Sequence, residues 1–174
     1  ADDGTALAAL SGLYNKLVNS AGFGGSYSSP NITMGVYADE LVAYQGTSSL
    51  LPYYNNQLAA TDPSVSSVWG GYYNIIYAAN AVTEGLQTST GVSSTLQKQL
   101  IGEALFVRAF VHFYLANQFG PIPYINTTDY LANAKKIRIP VADVYQTIIA
   151  DLLQAEPLLT DNYPTSERVR INKA

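Results

Sequence analysis

The sequence predicts an all-α fold, built of antiparallel helix pairs joined by short turns and interrupted by long loops. Three observations carry this expectation. Apolar residues recur at the helical period in four separate segments. No stretch shows the β-branched alternation of a sheet, and only Val36 and Ile122 to Ile125 invite a brief extended run. Pro, Gly and Asp-Pro punctuate the chain where helices start or stop.

The first helix is expected over residues 5–18, where Leu7, Leu10, Leu13, Tyr14, Leu17 and Val18 share a face. Asp2 and Asp3 precede it, where the helix dipole favours anions, and Gly22, Gly24 and Gly25 end it. Residues 21–61 form a long loop rich in Gly, Ser, Tyr, Asn and Gln, with a short helix inside Met34 to Tyr44. Its tyrosines (Tyr27, Tyr37, Tyr44, Tyr53, Tyr54) argue against plain disorder, and a loop of this length is usually functional.

Asp62-Pro63 opens the second long helix, with Asp as cap and Pro at the first position. Val65, Val68, Trp69, Tyr72, Tyr73, Ile76, Ala79 and Val82 form its apolar face. Ser94 and Gln97 read as a capping box for the third helix, which runs to Phe119 and stops at Gly120-Pro121. That helix is apolar on most sides and therefore central and buried. Gly102, Ala104, Ala109 and Ala116 are small enough to let neighbours close in. Residues 121–139 form a second long loop, and a fourth helix begins near Pro140 and finishes before Asp161. Two helices of about 20 residues joined by a turn are the unit of tetratricopeptide-like repeats. Residues 1–174 thus read as one helical-repeat domain, an α-α superhelix, although the tetratricopeptide consensus itself is absent.

Composition narrows the function. Hydrophobic residues make up 48% and charged residues 13%, enough for a core and far from a disordered composition. The net charge of −4 argues against nucleic acid or an anionic membrane surface as partner. The longest basic cluster, Lys135-Lys136 with Arg138, reads as loop. There is no Cys, so disulfides, thiolate metal sites and a Cys nucleophile are excluded within these residues. No run of about 18 apolar residues is present to span a membrane. Tyrosine occurs 14 times, and with abundant amides and hydroxyls it suits neutral, hydrogen-bonding ligands.

Several residues invite a chemical role and are better read as structure. Glu103 and Arg108 sit five apart on an otherwise apolar helix; they read as buried ions paired with neighbouring helices, because unpaired burial is costly. Asp39 and Glu40 are adjacent, whereas a glycosidase needs carboxylates facing each other roughly 5 to 9 Å apart. Asp39 fits better as a helix cap or as a partner for sugar hydroxyls. His112, the one histidine, reads as a hydrogen-bonded core residue. Gly22 to Gly25 lacks the strand and helix of a phosphate loop. No catalytic set, metal site or cofactor is expected. The candidate ligand constellation is Trp69 with Tyr44, Tyr53, Tyr54 and Asn55, joined by Asp39. Flat rings cover the apolar face of a pyranose, and amides or carboxylates bridge its hydroxyls.

The run Gly102-Glu103-Ala104-Leu105-Phe106-Val107-Arg108-Ala109, then Phe113-Tyr114-Leu115 and Phe119-Gly120-Pro121-Ile122-Pro123, resembles the SusD/RagB family of nutrient-binding outer-membrane lipoproteins. Val144-Tyr145, Ile148, Asp151-Leu152, Ala155 and Leu158-Leu159 match in the next helix, and Trp69, Tyr72 or Tyr73, Ile76 and Asn80 match in the helix before. Ala8 to Tyr14 fits the first family helix. The matches fall in order along nearly the whole chain.

The resemblance implies non-catalytic capture of oligosaccharide at the bacterial outer-membrane surface and delivery to a SusC-like TonB-dependent transporter. It implies an aromatic platform near the loops that join the first helices. Two other roles remain open under it: a scaffold that docks on the transporter, or binding of peptide rather than sugar. Family members are roughly three times longer, so these residues are expected to be an N-terminal third. The lipid-bearing Cys is then expected outside them, and Arg170 to Ala174 to be the opening of a further helix.

Overall fold

The computed structural model describes residues 1–19, 23–24, 29–44, 49–166 and 168–173. Gly22, Gly25, Tyr27 and Ala174 lie outside the described residues. The described chain is helical throughout: α1 Asp3–Asn19, α2 Pro30–Tyr37, α3 Leu51–Tyr54, α4 Pro63–Gln87, α5 Ser94–Phe119, α6 Tyr130–Asn133, α7 Val141–Ala155, and a 3₁₀ turn Glu156–Leu158. Among the described residues the one β pairing is an isolated antiparallel bridge, Ile122 to Ile139. The chain forms two compact units: Ala1–Leu13 with Asn74–Ala174, and Tyr14–Tyr73.

The larger unit is organised around α5. Thirteen of its side chains are buried, from Gln99 and Leu100 to Leu115 and Ala116. By length and composition α5 alone could cross a membrane, but 72% of its apolar window is buried inside the fold, so it is a core helix. The C-terminal half of α4 runs antiparallel to it: Gln97 Nε2 donates to the Leu86 carbonyl near the turn, and Arg108 donates to Asn80 further along. On another side α7 is also antiparallel, with Arg108 meeting Asp151 and Asn117 meeting Tyr145. Gly102 allows Leu158 and Leu159 to pack closely on α5: a Cβ there would lie 2.9 Å from Leu159 Cδ2 and 3.1 Å from Leu158 Cβ.

Local signals explain the boundaries. Asp2 Oδ1 accepts from the Thr5 N–H at 2.8 Å and Thr5 Oγ1 accepts from the Asp2 N–H at 2.9 Å, a reciprocal cap for α1. These hydrogen bonds from Thr5 hold the Asp2 carboxyl below its ordinary range. Asp62 accepts from Ser64 N–H at 2.8 Å as α4 begins. At the far end of α5, Gly120 takes φ +71° and its N–H closes on the Ala116 carbonyl, the left-handed conformation that glycine adopts without strain.

Three expectations are corrected. The capping box expected from Ser94 and Gln97 does not form: Ser93 precedes the helix without a side-chain cap, its N–H goes to Asp3 Oδ1 at 2.7 Å, and Gln97 instead satisfies the last carbonyls of α4. The short helix in the first loop is Pro30–Tyr37, displaced toward Ser29-Pro30, where Ser29 caps and Pro sits in the first turn. Residues 168–173 are not helical; Arg170 is held by Glu103 and the Ile171 carbonyl by Gln99.

Candidate functional site

The six residues singled out in sequence fall in the smaller unit, and the structure sorts them by exposure. Val36, Leu50 and Tyr53 form the buried cluster of this unit, with Ile32, Met34, Ala43 and Leu58 against it. Tyr53 is 4% exposed and its hydroxyl pairs with Ser64 Oγ at 3.1 Å, tying α3 to the first turn of α4.

Tyr54 and Asn55 follow immediately and point outward. Tyr54 is 39% exposed, and Asn55 caps α3 through its backbone N–H, leaving an exposed amide side chain. Tyr44 is the most exposed ring at 83%. Trp69 lies on α4, half-buried, tilted against Tyr73 with centroids 4.9 Å apart. Asp39 is exposed just beyond the end of α2 with φ +59°, so its backbone makes the turn while its carboxylate faces solvent. Tyr37 at 49% and Val42 at 70% add exposed apolar surface to the same segment. Asn56, with φ +54°, turns the chain directly after Asn55.

The polar residues of the larger unit do something different. Arg108 donates to both carboxylate oxygens of Asp151, at 2.7 and 2.6 Å, and Nη1 reaches Asn80 Oδ1 at 2.8 Å. Tyr124 donates to Asp151 at 2.6 Å, and Asn80 donates to the carbonyls of Ile125 and Thr127. Burial, with the Asp151 carboxylate nearby, pushes the Tyr124 hydroxyl well above its ordinary range, so it stays a donor. His112 stacks on Tyr124 with ring centroids 3.8 Å apart. Its Nε2 accepts from the Ile125 N–H at 3.2 Å, which leaves Nδ1 carrying the proton donated to the Arg108 carbonyl at 2.9 Å. Burial lowers its pKa to about 4. Glu103 is held by Arg170 at 2.5 Å and by Gln99 at 2.8 Å. Arg108, Glu103 and His112 are therefore structural, with the correction that the partner of Glu103 comes from an irregular segment rather than a helix. Among the described residues no three His, Asp or Glu side chains cluster to hold a metal.

A cavity of about 320 Å³ opens beside α7, lined by Phe106, Ile149, Leu152, Leu153 and Leu159 among others. Its wall is mainly apolar, with Glu156, Asn172 and Lys173 as its hydrogen-bonding side chains. The exposed tyrosines and amide of the smaller unit are the better match to a neutral polyol.

The described residues form an all-α fold of helical-repeat type. The chain belongs to the SusD-like family whose model, described as starch-binding and associating with the outer membrane, matches residues 8–174. A SusD-like protein of Bacteroides ovatus is 33% identical over 113 residues, covering 60% of this chain and 20% of its own length. The fold is shared with a laminarin-binding SusD-like protein (TM-score 0.84, 23% identity, 99% of this chain and 38% of that one). It is also shared with surface glycan-binding protein A of Bacteroides fluxus (TM-score 0.75, 20% identity, 99% and 37%). The chain spans between 20 and 30% of the length of the curated relatives it matches.

Proposed function

We propose that this chain contributes to non-catalytic binding of oligosaccharide or polysaccharide at the bacterial outer-membrane surface, with delivery to a SusC-like TonB-dependent transporter. The observation that carries the reading is the family match over residues 8–174, whose description joins starch binding to the outer membrane. The laminarin-binding and surface glycan-binding proteins that share the fold support the same ligand class. The residues offered for sugar are the exposed Tyr44, Tyr54, Asn55 and Asp39, with the half-buried Trp69 of α4. Affinity per site is modest, because stacking contributes little and protein hydrogen bonds replace those of water.

One observation favours a second reading, a scaffold that docks on the transporter. Tyr53 is buried and Trp69 is half covered, so fewer rings face solvent than the sequence suggests. Native affinity electrophoresis of the full-length protein through gels containing laminarin or starch separates the two. Retardation is expected, and Tyr44→Ala with Tyr54→Ala should weaken it by roughly tenfold, the effect of losing two stacked rings. Retardation unchanged in that double variant, and in Trp69→Ala, would make this region scaffold.

A further inference from the structure

The second long loop contains a projection that core packing does not explain. Between Thr128 and Ile139 the chain forms the single turn α6 and then bridges Ile122, whose carbonyl accepts from the Ile139 N–H at 3.0 Å. Both roots are fixed. Asn80 and Asn133 donate to the Thr127 carbonyl at 3.3 and 2.8 Å, and Glu84 accepts from the N–H of Thr128 at 3.0 Å and from its hydroxyl. The hydrogen bonds from Thr128 keep the Glu84 carboxyl below its ordinary range. Asp129 caps α6 by accepting from Leu131 and Ala132.

This firmly rooted excursion holds three large apolar side chains in water: Tyr130 at 75% exposed, Leu131 at 60% and Ile137 at 77%. Three of the nine cations in the sequence, Lys135, Lys136 and Arg138, lie in the same stretch and are exposed. The Lys135 and Lys136 ammonium groups have no ion-pair partner among the described residues. The net charge of −4 counts against an anionic surface only at long range. Screening confines each charge to a neighbourhood of about 8 Å at physiological salt, so a local cationic cluster meets its partner on its own terms.

We propose that residues 129–138 are a membrane-contact tip, in which Tyr130, Leu131 and Ile137 enter the interface of an anionic lipid surface while Lys135 and Lys136 pair with its phosphates. Aromatic and aliphatic tips insert at the headgroup level, and lysines extend their stems along them toward the phosphates. The root of the tip is held by Asn80 and Glu84 of α4, so its side chains are presented from a fixed base.

The inference rests on the outer-membrane part of the proposed function. Its test is flotation of the full-length protein, prepared without lipid modification, with vesicles of phosphatidylglycerol and phosphatidylethanolamine, and separately with pure phosphatidylcholine. The protein should float with the anionic vesicles only, less so as salt rises. Combined Tyr130→Ser, Leu131→Ser and Ile137→Ser should reduce the bound fraction at least roughly tenfold. Lys135→Glu with Lys136→Glu should do the same, and carries the test if the first variant fails to fold. No flotation of the unaltered protein, or equal flotation of a folded variant, overturns the proposal. So does loss of co-purification with a TonB-dependent transporter in variants that still float, since the tip is then a protein contact. Polysaccharide-gel retardation is run alongside: its failure counts against the glycan reading alone.

Discussion

His112 and Asp39 show how much a single residue's role depends on what surrounds it. His112 lies on α5 against Tyr124 and the irregular segment at Ile125, with both ring nitrogens occupied. Its folded pKa of about 4 lies below the ordinary 6.5, so the unfolded chain takes up the proton first as pH falls. The stability it supplies is whole above pH 6.5 and drains between 6.5 and 4, amounting to about 3 kcal/mol. Urea unfolding of the full-length protein at pH 7 and at pH 4.5 should show this loss, and His112→Gln should flatten it. An equally steep fall in the variant would place the acid sensitivity elsewhere. Asp39 carries two separable roles, a left-handed backbone turn and an exposed carboxylate. Glycine adopts that turn freely, so Asp39→Gly should leave the unfolding free energy unchanged to within about 0.5 kcal/mol, read by urea denaturation. If the carboxylate meets sugar hydroxyls, the same variant should run faster through polysaccharide gels. Unaltered retardation would leave Asp39 with the turn only.

At the scale of elements, the coupling of α5 to α7 and α4 is the feature that organises the larger unit. Arg108 grips Asp151 of α7 with two parallel hydrogen bonds and Asn80 of α4 with a third donor. A planar guanidinium suits this geometry and a lysine does not. Asp151→Ala would strand the buried guanidinium and remove the acceptor of Tyr124, at a cost of about 3–5 kcal/mol. Chemical denaturation of the full-length protein measures it, and a loss below about 1 kcal/mol would mean that water replaces the carboxylate. The ends of the helices divide their capping among distant residues. Asp3 serves the amide of Ser93, and Gln97 serves the last carbonyls of α4. Each of these partners was present in the sequence, but nothing local paired them.

For the whole molecule, the two compact units carry different work. The larger one concentrates buried ions and aliphatic packing, and among its exposed apolar side chains Tyr130, Leu131 and Ile137 share the stretch 129–138 with Lys135 and Lys136. The smaller one concentrates exposed tyrosine and amide on a small packed base of Val36, Leu50 and Tyr53. Sugar retardation and vesicle flotation should therefore respond to separate sets of substitutions. Tyr44 and Tyr54 belong to the first and Tyr130, Leu131 and Ile137 to the second.

The sequence by itself determined the helical class, the starts of α4 and α7, the end of α5, and the centrality of α5. Those features are written in nearest-neighbour signals: a period of 3.6, a Pro after a cap, a Gly-Pro stop. The motif around Gly102 to Ala109 and the Phe119-Gly120-Pro121 stop were likewise legible, because spacing along one helix survives in the linear text. Exposure was not. Tyr53, Tyr54 and Tyr44 read alike in sequence, and only the packing of α2 and α3 decided that the first is core while the others face water. Lys135-Lys136 read as plain loop until tertiary hydrogen bonds from α4 were seen to hold that loop out from the body. Burial and long-range pairing depend on which distant segments meet, and one-dimensional periodicity carries no term for that.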